Sequence, residues 1–346
     1  MRRVAIIVCT CLLLVGAAAG WGLYRADPAA RRTGAQLYGH RPMLASLAQA
    51  AADPPSVVFL GDSTLMTFPV FPSWTTIAQQ RFLDPLHRRS LLLATAGFDF
   101  FGYWALAGRI AALHPDVVVI IANLRVVQLG AGLRGFSDLI GETDLADVWT
   151  TLGLPYATRG LTAPRLLLAR LLTNPVTEDA FLRFEGTQRD VHDAAAWSWL
   201  GPNEPPLSPE VLLRTFLLKR GRMHAAFDAP LERGNPLLPF GEAAIRKLTA
   251  AGAAVLVVVS PVPWEMLAEV QRYEPGRYAR RIDVLREMTE RAGGRLLDLH
   301  RALARDQFRD GDGHFTAAGA ERVATLVAPA LVPAVSATRT PPPVAR

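Results

Sequence analysis

Five short apolar runs, each closed by a turn-forming or polar residue, constrain this chain more than any other feature. Residues 56–60, 90–94, 116–122, 254–260 and 295–299 are rich in Val, Leu and Ile and too short to read as helices. Runs that are apolar on both faces belong in a parallel sheet covered on both sides. Helix-like stretches at 102–113, 240–251 and 280–292 alternate with them, and Thr316 is placed to cap a closing helix over 317–331. Strand alternating with helix predicts an α/β fold, a parallel sheet between layers of helix.

The 346 residues suit one large α/β domain with an insertion. Half the chain is hydrophobic and a fifth is charged, a balance that can build a core. The expected organisation is a signal anchor or signal peptide at 1–25, a linker and leading helix at 26–54, and the α/β domain at 55–335. That domain is interrupted by a helical insertion at about 130–235, and a disordered tail follows at 336–346, carrying Pro341, Pro342 and Pro343.

At the N-terminus, Arg2 and Arg3 precede an uncharged stretch from 4 to 24, whose 21 residues reach about 30 Å as a helix and can cross a bilayer core. Trp21 and Tyr24 at its far end favour a retained anchor, while Ala17, Ala18 and Ala19 offer a cleavage site for the signal-peptide alternative. Either reading predicts export. Both cysteines, Cys9 and Cys11, lie inside this stretch, so the exported body has no disulfide, catalytic thiol or thiolate ligand, and neither CxxC nor HExxH occurs. No metal or cofactor is expected. The net charge of +6 comes from scattered arginines rather than a basic run interleaved with aromatics, which disfavours nucleic acid as a partner.

Gly61-Asp62-Ser63 directly follows the first predicted strand, which puts a serine hydroxyl at the carboxyl end of the sheet, where α/β folds place ligands. At the other end of the chain, Asp312-Gly313-His314 lies just before the closing helix. A serine needs such a histidine, because its hydroxyl is a poor nucleophile until a base takes its proton. Gly97 follows the second strand and Asn123 the third. GxSxG is absent around Ser63, since Leu65 occupies the second glycine position.

Gly61-Asp62-Ser63, Gly97, Asn123 and Asp312/His314 stand in the order of the conserved blocks of the SGNH (GDSL-like) hydrolases, and over 55–125 and 238–332 the chain resembles that superfamily. The resemblance implies a flavodoxin-like three-layer sandwich with about five parallel strands. It implies Ser63 as nucleophile, His314 as general base and then acid, and Asp312 as the carboxylate that orients His314. The oxyanion hole would comprise the backbone N–H groups of Ser63 and Gly97 and the Asn123 side-chain amide. The third block reads Ile121-Ala122-Asn123-Leu124 where the family commonly has Gly-x-Asn-Asp, and Gly311 stands where the family's acid commonly does, so Asp310 remains an alternative to Asp312.

The expected function is an extracytoplasmic serine esterase or O-acyltransferase acting on acyl, foremost acetyl, esters of envelope carbohydrate. Its expected partners are the acylated carbohydrate, the membrane through residues 4–24, and a membrane-bound O-acyltransferase. The domain is expected on the periplasmic side of an inner membrane, or secreted if the leader is cleaved. The alternatives are a lipolytic esterase or thioesterase, and a catalytically idle envelope-assembly or polysaccharide-binding protein. Asp62 is expected to fix its loop through backbone amides. His300, two residues after Asp298, makes a second Asp-x-His that the reading sets aside. Trp197 and Trp199 are read as core of the insertion, with stacking on sugar rings the alternative, and Arg125 as a salt-bridge partner, with contact to an anionic substrate group the alternative.

Overall fold

The computed structural model describes residues 40–65, 72–94, 98–124, 231–235, 237–269, 271–309 and 313–337. The leader, Arg125, most of the insertion including Trp197 and Trp199, and the tail beyond Ala337 lie outside the described residues. So do Gly97, Asp310 and Asp312.

In chain order the main elements are α1 (His40–Ala50), β1 (Val57–Gly61), α2 (Trp74–Ala78), β2 (Ser90–Ala94), α3 (Phe100–Ala112), β3 (Val117–Ala122), α4 (Leu238–Ala250), β4 (Ala254–Val259), α5 (Trp264–Glu269), α6 (Pro275–Arg291), β5 (Arg295–Asp298) and α7 (Ala317–Ala337). The strands form one all-parallel sheet in the order β2-β1-β3-β4-β5. The fold is α/β and compatible with a flavodoxin-like sandwich, and each strand coincides with one of the five apolar runs.

Alternation along the strands explains why those runs are apolar throughout. Val58, Leu60, Val118, Ile120, Val255 and Val257 join α1, α3, α4 and α6 in one core. Val57, Phe59, Val117, Val119, Leu256 and Val258 join α2 and α7 in the other. Each fully buried aliphatic side chain contributes about 1.5–3 kcal/mol relative to an exposed one, so both faces are strongly specified. Asp99 caps α3, its carboxylate accepting from the N–H groups of Phe101 and Gly102.

Two helices differ from expectation. α6 begins at Pro275 rather than near residue 280, because a proline in the first turn gives up an N–H that has no partner there. α7 runs to Ala337 through Pro329 and Pro333, past the expected end near residue 331 and into the stretch expected as tail. Both prolines are exposed, while Val327, Leu331 and Val335 are fully buried against the sheet side, and that burial outweighs the lost helical bonds. α7 is long and apolar enough to cross a membrane, yet its buried stripe, Ala320, Val323, Ala324, Val327, Leu331 and Val335, is the pattern of a core helix.

Candidate active site

In a sheet of this order the chain reverses direction between β1 and β3, and the crevice above that switch point is where such folds hold ligands. Ser63 leaves β1 and Asn123 leaves β3, so the two residues flank the crevice from adjacent strands.

Ser63 opens a single 3-10 turn, Ser63–Leu65, closed by the Leu65 N–H donating to the Asp62 carbonyl at 3.0 Å. Asp62 is completely buried and holds the turn from within. One carboxylate oxygen accepts from the Thr64 N–H at 3.0 Å and from the Thr64 hydroxyl at 2.7 Å; the other accepts from Asn123 Nδ2 at 2.6 Å. The aspartate therefore fixes its own loop, and it also ties β1 to β3. Gly61 is needed for close approach, because a Cβ there would fall on the buried Leu65 side chain. Ser63 itself remains partly exposed above this packed base.

His314 is carried by a loop pinned at its neck. Phe308 and Phe315 pair as an isolated antiparallel bridge, the Arg309 N–H donates to the His314 carbonyl at 2.8 Å, and the Thr316 N–H donates to the Gln307 carbonyl at 3.0 Å. Both phenylalanines are buried, and α7 starts immediately afterwards with the Thr316 hydroxyl accepting from the Gly319 N–H. Gly313 has φ +92°, a backbone conformation that side chains resist. The result places His314 Nε2 3.0 Å from Ser63 Oγ, with His314 only 8% exposed. With its proton on Nδ1, the ring accepts the serine hydroxyl proton at Nε2.

Of the residues singled out from sequence, Ser63, His314 and Asn123 thus converge on one crevice. An amide carries two N–H donors, and Asn123 commits one of them to Asp62, which fixes the plane of the group. Among the described residues, no cluster of three or more His, Cys, Asp or Glu side chains could hold a metal ion.

Sequence reasoning missed Tyr103. Its phenol lies within the buried face of α3, its one proton shared between the carbonyls of Ile121, 3.0 Å away, and Phe98, 3.2 Å away. One hydroxyl thus joins the segment after β2 to the end of β3, two residues before Asn123. Burial, reinforced by the negative charges of Asp62 and Asp99, pushes the phenol well above its usual range, so it remains a donor. The only signal in the sequence was a phenol within the apolar run Phe100-Phe101-Gly102-Tyr103-Trp104.

The set-aside Asp-x-His also proves to be an assembled pair. His300 Nδ1 lies 2.8 Å from Asp298 Oδ1, but the ring's other nitrogen faces Tyr273 rather than a serine.

No protein-family model matches the chain, and no curated protein matches it.

Proposed function

We propose that a chain with a serine hydroxyl 3.0 Å from a buried imidazole, at the switch point of a parallel sheet, is an SGNH-type serine esterase or O-acyltransferase. Its substrates are acyl, foremost acetyl, esters of cell-envelope carbohydrate, and it works through an acyl-Ser63 intermediate. The Ser63–His314 contact carries the reading.

His314 Nε2 takes the Ser63 proton as Oγ attacks the ester carbonyl, giving a tetrahedral oxyanion. The same proton passes to the departing alkoxide, leaving an acyl ester on Ser63. In the second half, water or a sugar hydroxyl gives its proton to His314 and attacks that ester, and His314 returns the proton to Ser63. The Asn123 amide and the backbone N–H groups of Ser63 and Gly97 would receive the oxyanion. Asp312, with Asp310 as alternative, would hold the imidazolium. Ser63 is partly exposed and so reachable by an acceptor, and the apolar leader supports a location at the envelope, beside polymer and beside a membrane-bound acyl donor.

The test is turnover of p-nitrophenyl acetate by the full chain, with intact mass taken during the reaction. An acetyl adduct on wild type, absent from Ser63→Ala, with turnover lost in both Ser63→Ala and His314→Ala by about 10³-fold or more, supports the mechanism. Undiminished turnover in Ser63→Ala removes it.

A further inference from the structure

A second set of polar groups stands at the carboxyl end of β5, and the Ser63–His314 chemistry does not use it. Asp298, the last residue of β5, accepts from the His300 backbone N–H at 3.0 Å and lies 2.8 Å from His300 Nδ1. The carboxylate keeps the ring proton on Nδ1, so Nε2 accepts from the Tyr273 hydroxyl, 3.1 Å away. Burial raises the Asp298 carboxyl, but the hydrogen bonds from His300 and nearby positive charge more than offset this and hold it below its usual range. The Tyr278 ring stacks on His300 at 6.0 Å between centroids and 11° between planes. The Arg301 guanidinium sits 4.4 Å from the centre of the Trp264 ring.

Tyr273, Asp298, His300 and Arg301 form one wall of an open cleft of about 270 Å³, and the face of α6 that carries Pro275, Ile282 and Arg286 forms the other. Its charges balance. Arg286 and Arg301 are matched by Asp283 and Asp298, and Arg286 donates to Asp283 at 2.5 Å. A phosphate or carboxylate site needs a surplus of cation, which this cleft lacks. It offers donors and acceptors side by side, held in fixed orientations, next to the apolar edges of Ile282, Pro275 and Tyr273. A ring of hydroxyls uses both kinds of partner at once and lays its C–H face on apolar surface.

The position relative to Ser63 follows from the register. Leu60 aligns with Ile120, Ile120 with Val257, and Val257 with Leu296, so Asp62 and Asp298 stand level at the same edge of the sheet. Three strand spacings separate β1 from β5, about 14 Å. A linear oligosaccharide of a few rings spans that interval.

We propose that this cleft is a subsite for a neutral carbohydrate chain, holding one sugar unit through the Asp298 carboxylate and the Tyr273 hydroxyl oxygen, which His300 fixes in place, while another unit of the same chain reaches Ser63. The proposal rests on the reading of Ser63 as acting on carbohydrate esters, but its binding test does not depend on catalysis. Cellohexaose, chitohexaose and hexagalacturonate are titrated calorimetrically into the full chain in detergent, and into its Ser63→Ala, Tyr273→Phe and His300→Gln variants. At least one neutral hexamer is expected to bind and the acidic one is not. Tyr273→Phe is expected to weaken binding by about fivefold, the loss of one hydrogen bond, and His300→Gln by a similar factor because it frees Asp298 and Tyr273 from their fixed orientation, with p-nitrophenyl acetate turnover within about twofold of wild type in both. Ser63→Ala is expected to bind as wild type does. Thermal unfolding confirms that the variants are folded, and Tyr273→Phe removes only a hydroxyl. Binding of no neutral hexamer, equal affinity in folded Tyr273→Phe and His300→Gln, or preference for the acidic hexamer overturns the subsite. Sugar binding without esterase turnover sinks only the catalytic reading, and turnover without sugar binding sinks only the cleft.

Discussion

Asp62 Oδ2 accepts a 2.6 Å hydrogen bond from Asn123 Nδ2, so the residue that precedes the serine orients the amide that closes the crevice. The two side chains are both buried and belong to adjacent strands. Asp62→Ala strands the Thr64 and Asn123 donors without an acceptor and is expected to cost about 2–3 kcal/mol of stability. Asn123→Ala is expected to lower kcat about 10²-fold with a smaller loss of stability, as for removal of one oxyanion donor. Denaturant titration and p-nitrophenyl acetate kinetics on both variants check the pair; unchanged kcat in Asn123→Ala would remove the amide from the chemistry.

Tyr103→Phe deletes the hydroxyl that joins the Phe98 and Ile121 carbonyls. The expected cost is about 1–2 kcal/mol in stability, with kcat falling about tenfold at little changed KM, because the ends of two strands lose their common reference. A stability loss with kcat intact would make Tyr103 structural only.

The same phenol sets an alkaline limit. Its folded pKa lies above its unfolded value of about 10, so above that pH the unfolded chain releases a proton that the folded chain retains. Stability is therefore fully present below about pH 10 and is lost as pH rises toward the folded value. Melting temperatures measured from pH 8 to pH 11 are expected to fall less steeply at the alkaline end in Tyr103→Phe than in wild type; parallel curves would refute the assignment.

Gly313 precedes His314 at φ +92°, and Gly313→Ala is expected to cost about 1–2 kcal/mol. Turnover should fall further than stability accounts for, since the strain is relieved by moving the adjacent imidazole from its 3.0 Å contact. Gly313→Asn should retain more activity than Gly313→Val, because asparagine tolerates positive φ and a β-branched residue does not. Equal activities in the two variants would argue that the loop absorbs the strain elsewhere.

Much of this fold is legible in the sequence, because a strand buried on both faces has to be apolar throughout. The five runs stand out for that reason, and β3 is legible down to the asparagine that ends it. Elements whose boundaries depend on tertiary burial are less legible. The closing helix is expected to end near residue 331, yet α7 continues through Pro333 to Ala337 because Leu331 and Val335 are held against the sheet side. Within the site, the serine and histidine are readable from their places beside a strand and a helix. Tyr103 is not, since its role lies in two carbonyls that no pattern in its own neighbourhood identifies. Tyr273 is 27 positions from the His300 it bonds, so the second Asp-x-His looked unpartnered until the chain was folded.

Ser63 and His314 are separated by 251 positions, with four of the five strands and five of the seven helices named above strung between them. No fragment that stops short of the last helix can bring the two together. A chain still being synthesised carries Ser63 without the imidazole that stands 3.0 Å from it in the folded domain. Under the proposed mechanism, reactivity would arrive only when the segment carrying His314 docks against Ser63, so the onset of chemistry would report that the domain has been built.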